Sequence, residues 1–150
     1  MLKNKNEIIK QALDNNKIKR PIFKNAIKAF LVGGTIALIG QGFLDLYSIV
    51  FGFEENISNS LMSISLVFIS SILTGIGLFD KIGQFAGAGS FIPITGFSNS
   101  LTSAALESKS EGLVLGIMTN MFKLAGAVIV AGAVSAFIAS CIIYVSRIII

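Results

Sequence analysis

Between Ile57 and Phe79 the chain runs for 23 residues without a charged side chain. Wound as a helix at 1.5 Å per residue, this stretch reaches about 34 Å, enough to cross a hydrocarbon core of about 30 Å. Two further stretches are as apolar, one from about Ala26 to Phe51 and one from Gly112 to Tyr144. A backbone in lipid has no water to bond, so a crossing segment closes its own hydrogen bonds as a helix. The pattern predicts an all-α polytopic membrane protein. Composition agrees: of 150 residues, 53% are apolar and only 13% charged, against about 25% charged in an ordinary soluble domain. The same composition removes much chemistry. There is no His, and Cys141 is the single Cys. That leaves no Ser-His-Asp triad, no His metal site and no internal disulfide. Asp80, Glu107 and Glu111 stand near Lys81 and Lys109 with no nucleophile or metal pattern around them. The chain is expected not to be an enzyme and to need no cofactor or metal.

The charges that remain are unevenly placed. Eight of the twelve basic residues fall in the first 28 positions, opposed only by Glu7 and Asp14. Basic flanks stay inside during insertion, so the N-terminus is expected in the cytoplasm. Residues 1–25 read as a basic cytoplasmic arm, too long and polar for a signal peptide. Ile8, Ile9, Ala12 and Leu13 recur at helical spacing, which predicts an amphipathic helix over 4–16. Asn15 and Asn16 end it, and Pro21 starts the next helix. The arm is either a solvated charged segment or a helix lying on anionic lipid or docking a partner. With Phe23 as its one aromatic, it offers nucleic acid no stacking platform, and none is expected as a partner.

Residues 26–150 read as the membrane domain, with spans at about 26–51 and 57–79, a broken segment at 80–111 and a long helix at 112–145. In the first span Ala29, Gly33 and Ala37 form one small-residue row, and Gly34 and Gly42 lie in a second. Such rows admit close helix–helix contact. Asp45 and Tyr47 are placed at the far interface, and the Glu54-Glu55 loop on the non-cytoplasmic side. The second span carries Ser58, Ser60, Ser63, Ser65, Ser70 and Ser71. Each hydroxyl can bond back to a carbonyl one turn earlier, or serve as helix–helix glue or a wet lining. The last run would be about 50 Å long as one helix, and is expected to tilt or kink. Lys123 stands about 16 Å along it. An intramembrane Lys is a functional candidate unless it snorkels from a shifted helix.

The segment from Asp80 to Glu111 is too broken for a regular span and too apolar for a wet loop. Gly83, Gly87, Gly89 and Gly96 permit unusual backbone angles, and Pro93 removes a donor. The expected structure is a broken or re-entrant pair of half-helices: one over 82–88, extended backbone from Gly89 to Gly96, and a second helix over 97–106. Whether the pair crosses the membrane or only enters it stays open. Irregular backbone at membrane depth is tolerated where it lines a cavity or is buried in protein, and transporters build sites this way. Gln84, Gly87, Gly89, Pro93, Thr95, Gly96, Asn99 and Lys123 are therefore the candidates for lining a pathway. A dinucleotide loop at Gly87-Ala88-Gly89 fails, because Ile92 stands where a third Gly is needed and no β-α-β pattern surrounds it.

Gln84-Phe85-Ala86-Gly87-Ala88-Gly89-Ser90, followed by Ile92-Pro93-Ile94-Thr95-Gly96-Phe97-Ser98-Asn99-Ser100, closely resembles the signature of the stage V sporulation protein AC/AE family. Lys28-Ala29-Phe30-Leu31-Val32-Gly33-Gly34 with Ile39-Gly40-Gln41, and Lys109-Ser110-Glu111-Gly112, resemble it as well. The likeness runs from about Ile27 to past Val130, and the basic arm looks like the AC rather than the shorter AE branch. The resemblance implies a membrane protein of endospore formers, at the forespore and spore inner membrane. It implies a subunit of a complex that moves dipicolinic acid with calcium during sporulation and germination, working with AE-like and AD-like subunits. It also implies a mechanosensitive channel. The rival expectation is a non-conducting membrane scaffold that anchors a soluble sporulation partner through the arm.

Overall fold

A computed structural model describes residues 21–149, so the amphipathic helix expected over 4–16 lies outside the described residues. No strand occurs among those described. Pro21 precedes the first helix, α1 (Ile22–Asp45), where the missing N–H has no helical partner to lose. α1 continues through a π-helical turn, Leu46–Val50, into a span of 29 residues. Gly52, at φ 69°, turns the chain. After a four-residue connection, α2 (Glu55–Gly75) returns beside α1, with Gly40 packed against Leu66 and Met62. Ser58, fully buried, ties the connection by donating to Phe53 O at 3.3 Å. Tyr47 Oη and Ser65 Oγ share a hydrogen bond of 2.7 Å.

α2 stops at Gly75, four residues before the charge boundary suggests, because Gly77 takes φ 75°. A hairpin of three pieces follows: α3 (Phe79–Ala86), α4 (Ala88–Phe91) and α5 (Ile94–Glu107). Gly87 separates the first two at φ 54° and ψ −125°, a backbone that a Cβ disfavours. Pro93, at ψ 170°, separates the last two. The extended stretch expected from Gly89 to Gly96 is absent. Residues 88–91 form a helical turn, and Gly89 and Gly96 have ordinary negative φ. The reason is hydrogen bonding: Ile92 N–H donates to Ala88 O at 3.0 Å and Gly96 N–H to Pro93 O at 2.9 Å. A longer extended run would leave such groups unbonded in hydrocarbon.

The hydrogen bonds Ser70 to Thr95 and Thr74 to Asn99 advance four residues on both helices, so α5 runs parallel to α2. Pro93 and Ile94 share a groove with Ser63 and Leu66, midway along α2. The hairpin thus enters from the Gly75 side, reaches the middle of α2 and returns the way it came. It is re-entrant. A 3₁₀ turn (Ser108–Glu111) and Gly112 at φ 96° reverse the chain. A π-helical turn (Leu113–Met118) then leads into α6 (Thr119–Ile149). That last span has 36 residues, about 54 Å as a straight helix, and must tilt to fit a bilayer. Three crossings and one re-entrant hairpin put the start of α1 and the end of α6 on opposite sides.

The packing is inside out. Among the described residues, Leu66, Phe79 and Ala86 are the buried hydrophobic ones, whereas Ser70, Ser90, Thr95, Ser98 and Asn99 are buried among the polar ones. Phe30, Ile92 and Phe137 are 79%, 82% and 70% exposed. Lipid is as apolar as these side chains, so burying them gains nothing, and small and polar residues make the helix contacts instead.

Candidate functional site

The hydroxyls of α2 divide by direction. Ser60 and Ser63 donate to Asn56 O and Asn59 O, one turn back, at 2.9 and 3.0 Å. Ser70 instead donates across to Thr95 O at 2.6 Å. Ser71 Oγ, Ser98 Oγ and Val67 O form a triangle with 2.9 Å on each side. One turn further, Thr74 Oγ1 lies 2.8 Å from Ser70 O and 2.9 Å from Asn99 Oδ1. A hydroxyl has one proton to give. Both contacts are satisfied when Thr74 donates to Ser70 O and the Asn99 amide turns its Nδ2 toward Thr74, a choice that hydrogen bonding decides. This seam fixes α5 to α2.

The tip is pinned by its own side chains. Ser90 donates to Gly87 O at 3.1 Å, and Thr95 donates to Ser90 O at 3.2 Å. The Phe91 ring folds back edge-on to Phe79, centroids 6.2 Å apart. Gly83 makes room for it, since a Cβ there would stand 2.6 Å from Phe91 Cζ. Gly96 has a packing role too: a Cβ would collide with the Phe91 carbonyl.

α4 seats the hairpin on α1. A Cβ on Gly33 would lie 3.3 Å from Gly89 O, and one on Gly89 would collide with the Ala29 backbone. The Ala29–Gly33 row therefore receives a helix of its own chain, while Gly34 and Gly42 have open space beside them. Two grooves flank the seat along α1. One, of about 490 Å³, lies between Asn25 and Lys28 of α1 and Gln84, Phe85 and Gly87 of the hairpin. Lys28 Nζ stands 4.5 Å from the Phe85 ring centroid, a cation–π contact. The other, also about 490 Å³, is lined by Ala37, Gln41, Asn59, Ser63 and Pro93. In it Gln41 donates to Asp45 Oδ1 at 2.8 Å.

The residues singled out in the sequence thus fall into three places. Gln84, Gly87, Gly89 and Pro93 follow the face of α1. Thr95, Gly96 and Asn99 are buried, holding the hairpin together and to α2. Lys123 is apart, exposed in a groove of about 500 Å³ with Glu107, Ser108, Glu111 and Asn120. That groove reaches Ala104, eleven residues past Pro93, so it sits about 16 Å from the hairpin tip toward the Gly75 side. Lys123 therefore stands level with the end of α5, past the end of α2, rather than level with the hairpin tip. The reason is that α5 and the 3₁₀ turn carry the chain past the end of α2 before α6 begins. Asn59 was not singled out in the sequence. Its signal was Asn59 and Ser63 at i, i+4 on α2, facing Gln41 and Asp45 at i, i+4 on α1.

The chain matches the family model of the SpoVAC/SpoVAEB sporulation membrane protein over residues 25–142. It is similar to Stage V sporulation protein AC of Bacillus subtilis (strain 168), at 58% identity over 120 residues, 80% of each chain. No solved structure matches it. The matched region takes in most of α1, all of α2 and the hairpin, and most of α6, and the chain belongs to the SpoVAC/SpoVAEB family of sporulation membrane proteins.

Proposed function

We propose that this protein is a subunit of a channel or transport complex in the forespore and spore inner membrane, its N-terminus in the cytoplasm. The complex moves dipicolinic acid with calcium and opens under membrane tension. The observation that carries the reading is backbone broken at Gly87 and Pro93 and held midway along α2 between two grooves with polar side chains. That arrangement is how irregular backbone serves solute passage in lipid. One chain leaves both grooves open, so conduction requires further subunits, and further copies of this chain suffice for it. Gly34 and Gly42 offer them close approach, and AE-like and AD-like subunits are the proposed partners, with anionic lipid under the basic arm. Gln84, Gly87, Gly89 and Pro93 line the pathway. Thr95, Gly96 and Asn99 hold its shape. Lys123, level with the end of α5, draws carboxylates toward it. No chemical step is assigned to the protein.

The second reading is a non-conducting scaffold. It is favoured by one observation: among the described residues, every buried side-chain polar atom has a hydrogen-bond partner, as in a purely structural hairpin. Patch-clamp recording on giant liposomes holding the purified protein separates the two. Suction that evokes discrete currents, absent from empty liposomes, supports the channel. A silent membrane at lytic tension supports the scaffold.

A further inference from the structure

The two grooves lie on the same face of α1, end to end. The first is bordered by Ala26 and Ala29, the second by Gly33, Ala37 and Gln41. What separates them is α4, whose Gly89 backbone rests on Ala29 and Gly33 with no side chain between. This seat differs from the seam on the other flank of the hairpin. There α5 is tied to α2 by cross-helix hydrogen bonds that Ser70 and Ser98 donate and by the Asn99–Thr74 pair. On the α1 flank the seat is a contact of small residues with no cross-helix hydrogen bond among the described residues, supplemented by the Lys28–Phe85 cation–π contact at its edge. Gly87 at one end of α4 and Pro93 at the other are the breaks at which the turn can swivel.

From this geometry we infer that the solute path of the conduction reading follows this face of α1, and that the contact of Gly89 with Ala29 and Gly33 is its gate. Lys28, with the carboxamides of Asn25 and Gln84, forms the mouth on the Gly75 side. A cation beside amide donors suits a carboxylate solute. Gln41, Asn59 and Ser63 continue the path on the other side of the seat. Tension that draws α1 away from α2 and the hairpin breaks the weaker, unbonded contact first and joins the two grooves. Membrane stretching thereby favours the state with the seat vacated, a population shift between two arrangements of α4. The inference rests on the conduction reading, and the test keeps their failures apart.

The test is a graded series in liposomes of purified protein, reading the leak of entrapped dipicolinate without tension. Gly75→Ala adds a methyl group where nothing lies within 4 Å and leaves the leak at the wild-type level. Gly33→Ala pushes on Gly89 O from 3.3 Å and raises the leak several-fold. Gly89→Ala, colliding with Ala29, raises it further. A second measurement does not depend on these variants folding. In a Cys141→Ser background, Ile36→Cys is exposed to an impermeant thiol reagent. It reacts only from the Asn59 side at rest, and from both sides under tension. Wild-type protein that conducts nothing under tension overturns the conduction reading and this gate with it. Wild-type conduction with equal leak in all three glycine variants, or with Ile36→Cys labelled from one side throughout, overturns the gate alone.

Discussion

Thr74→Val removes one hydroxyl from the Gly75 end of the α2–α5 seam while keeping the side-chain shape. The lost link is the 2.9 Å contact with Asn99. Cross-helix hydrogen bonds in membranes contribute about 0.6 kcal/mol on average and up to about 1.7. Thr74 belongs at the upper end, because Asn99 is only 8% exposed and its amide is left without that partner. An unmade buried hydrogen bond costs about 1–3 kcal/mol. The expected loss is therefore about 1–2 kcal/mol by those ranges. Ser60→Ala is the control. Its hydroxyl bonds to Asn56 O of its own helix, so the expected change is near zero. Steric-trapping unfolding in bicelles reads both values. A double-mutant cycle with Asn99→Leu isolates the pair, and the two single losses should exceed the double loss by about 1 kcal/mol. Additive losses in that cycle, or a Ser60→Ala cost equal to that of Thr74→Val, would refute the assignment of the seam as the hairpin's anchor.

Three further outcomes are expected. Gly87→Ala places a Cβ on backbone at φ 54° and ψ −125° and should destabilise the hairpin by about 1–3 kcal/mol, seen as faster protease cleavage near residue 87 at unchanged membrane abundance. With three crossings, Asn56→Cys and Ser146→Cys, each in Cys141→Ser, should be labelled from the same side of the membrane; opposite sides would mean the hairpin crosses. In the flux assay Lys28→Met should slow dipicolinate more than Lys123→Met, because Lys28 lies on the α1 face and Lys123 in a separate groove; the reverse order would move the pathway to the α5–α6 side.

The spans were legible because lipid imposes a simple rule: uncharged runs of sufficient length become helices. The glycines and Pro93 announced the broken segment, and a re-entrant form was one of the two readings their pattern allowed. Its local form was not legible. Four glycines in the segment suggested four special backbone angles, yet Gly87 alone among them has positive φ, while Gly83, Gly89 and Gly96 make room for neighbours. Conformational freedom and absence of bulk leave the same letter in a sequence. The serines of α2 posed a similar ambiguity. Ser60 and Ser63 bond within their helix, whereas Ser70 reaches α5. Only the position of α5 distinguishes them, and that position depends on residues 25 or more apart along the chain. The level of Lys123 was left open by the sequence for a related reason. Distance along one helix gives depth only once the level of its first residue is known, and that level is set by α5.

The solute path and its gate depend on the hairpin tip standing near the middle of the membrane with both its ends on one face. Spin labels at Leu78, Ile92 and Leu106, each exposed, measure this by their relative accessibility to oxygen and to a water-soluble nickel chelate. The expected result is an oxygen-rich, chelate-poor Ile92 near the bilayer centre, with Leu78 and Leu106 at the same interface when chelate is added from one side alone. Leu78 and Leu106 at opposite interfaces, or Ile92 as open to the chelate as they are, would contradict the re-entrant hairpin and the solute path built on it.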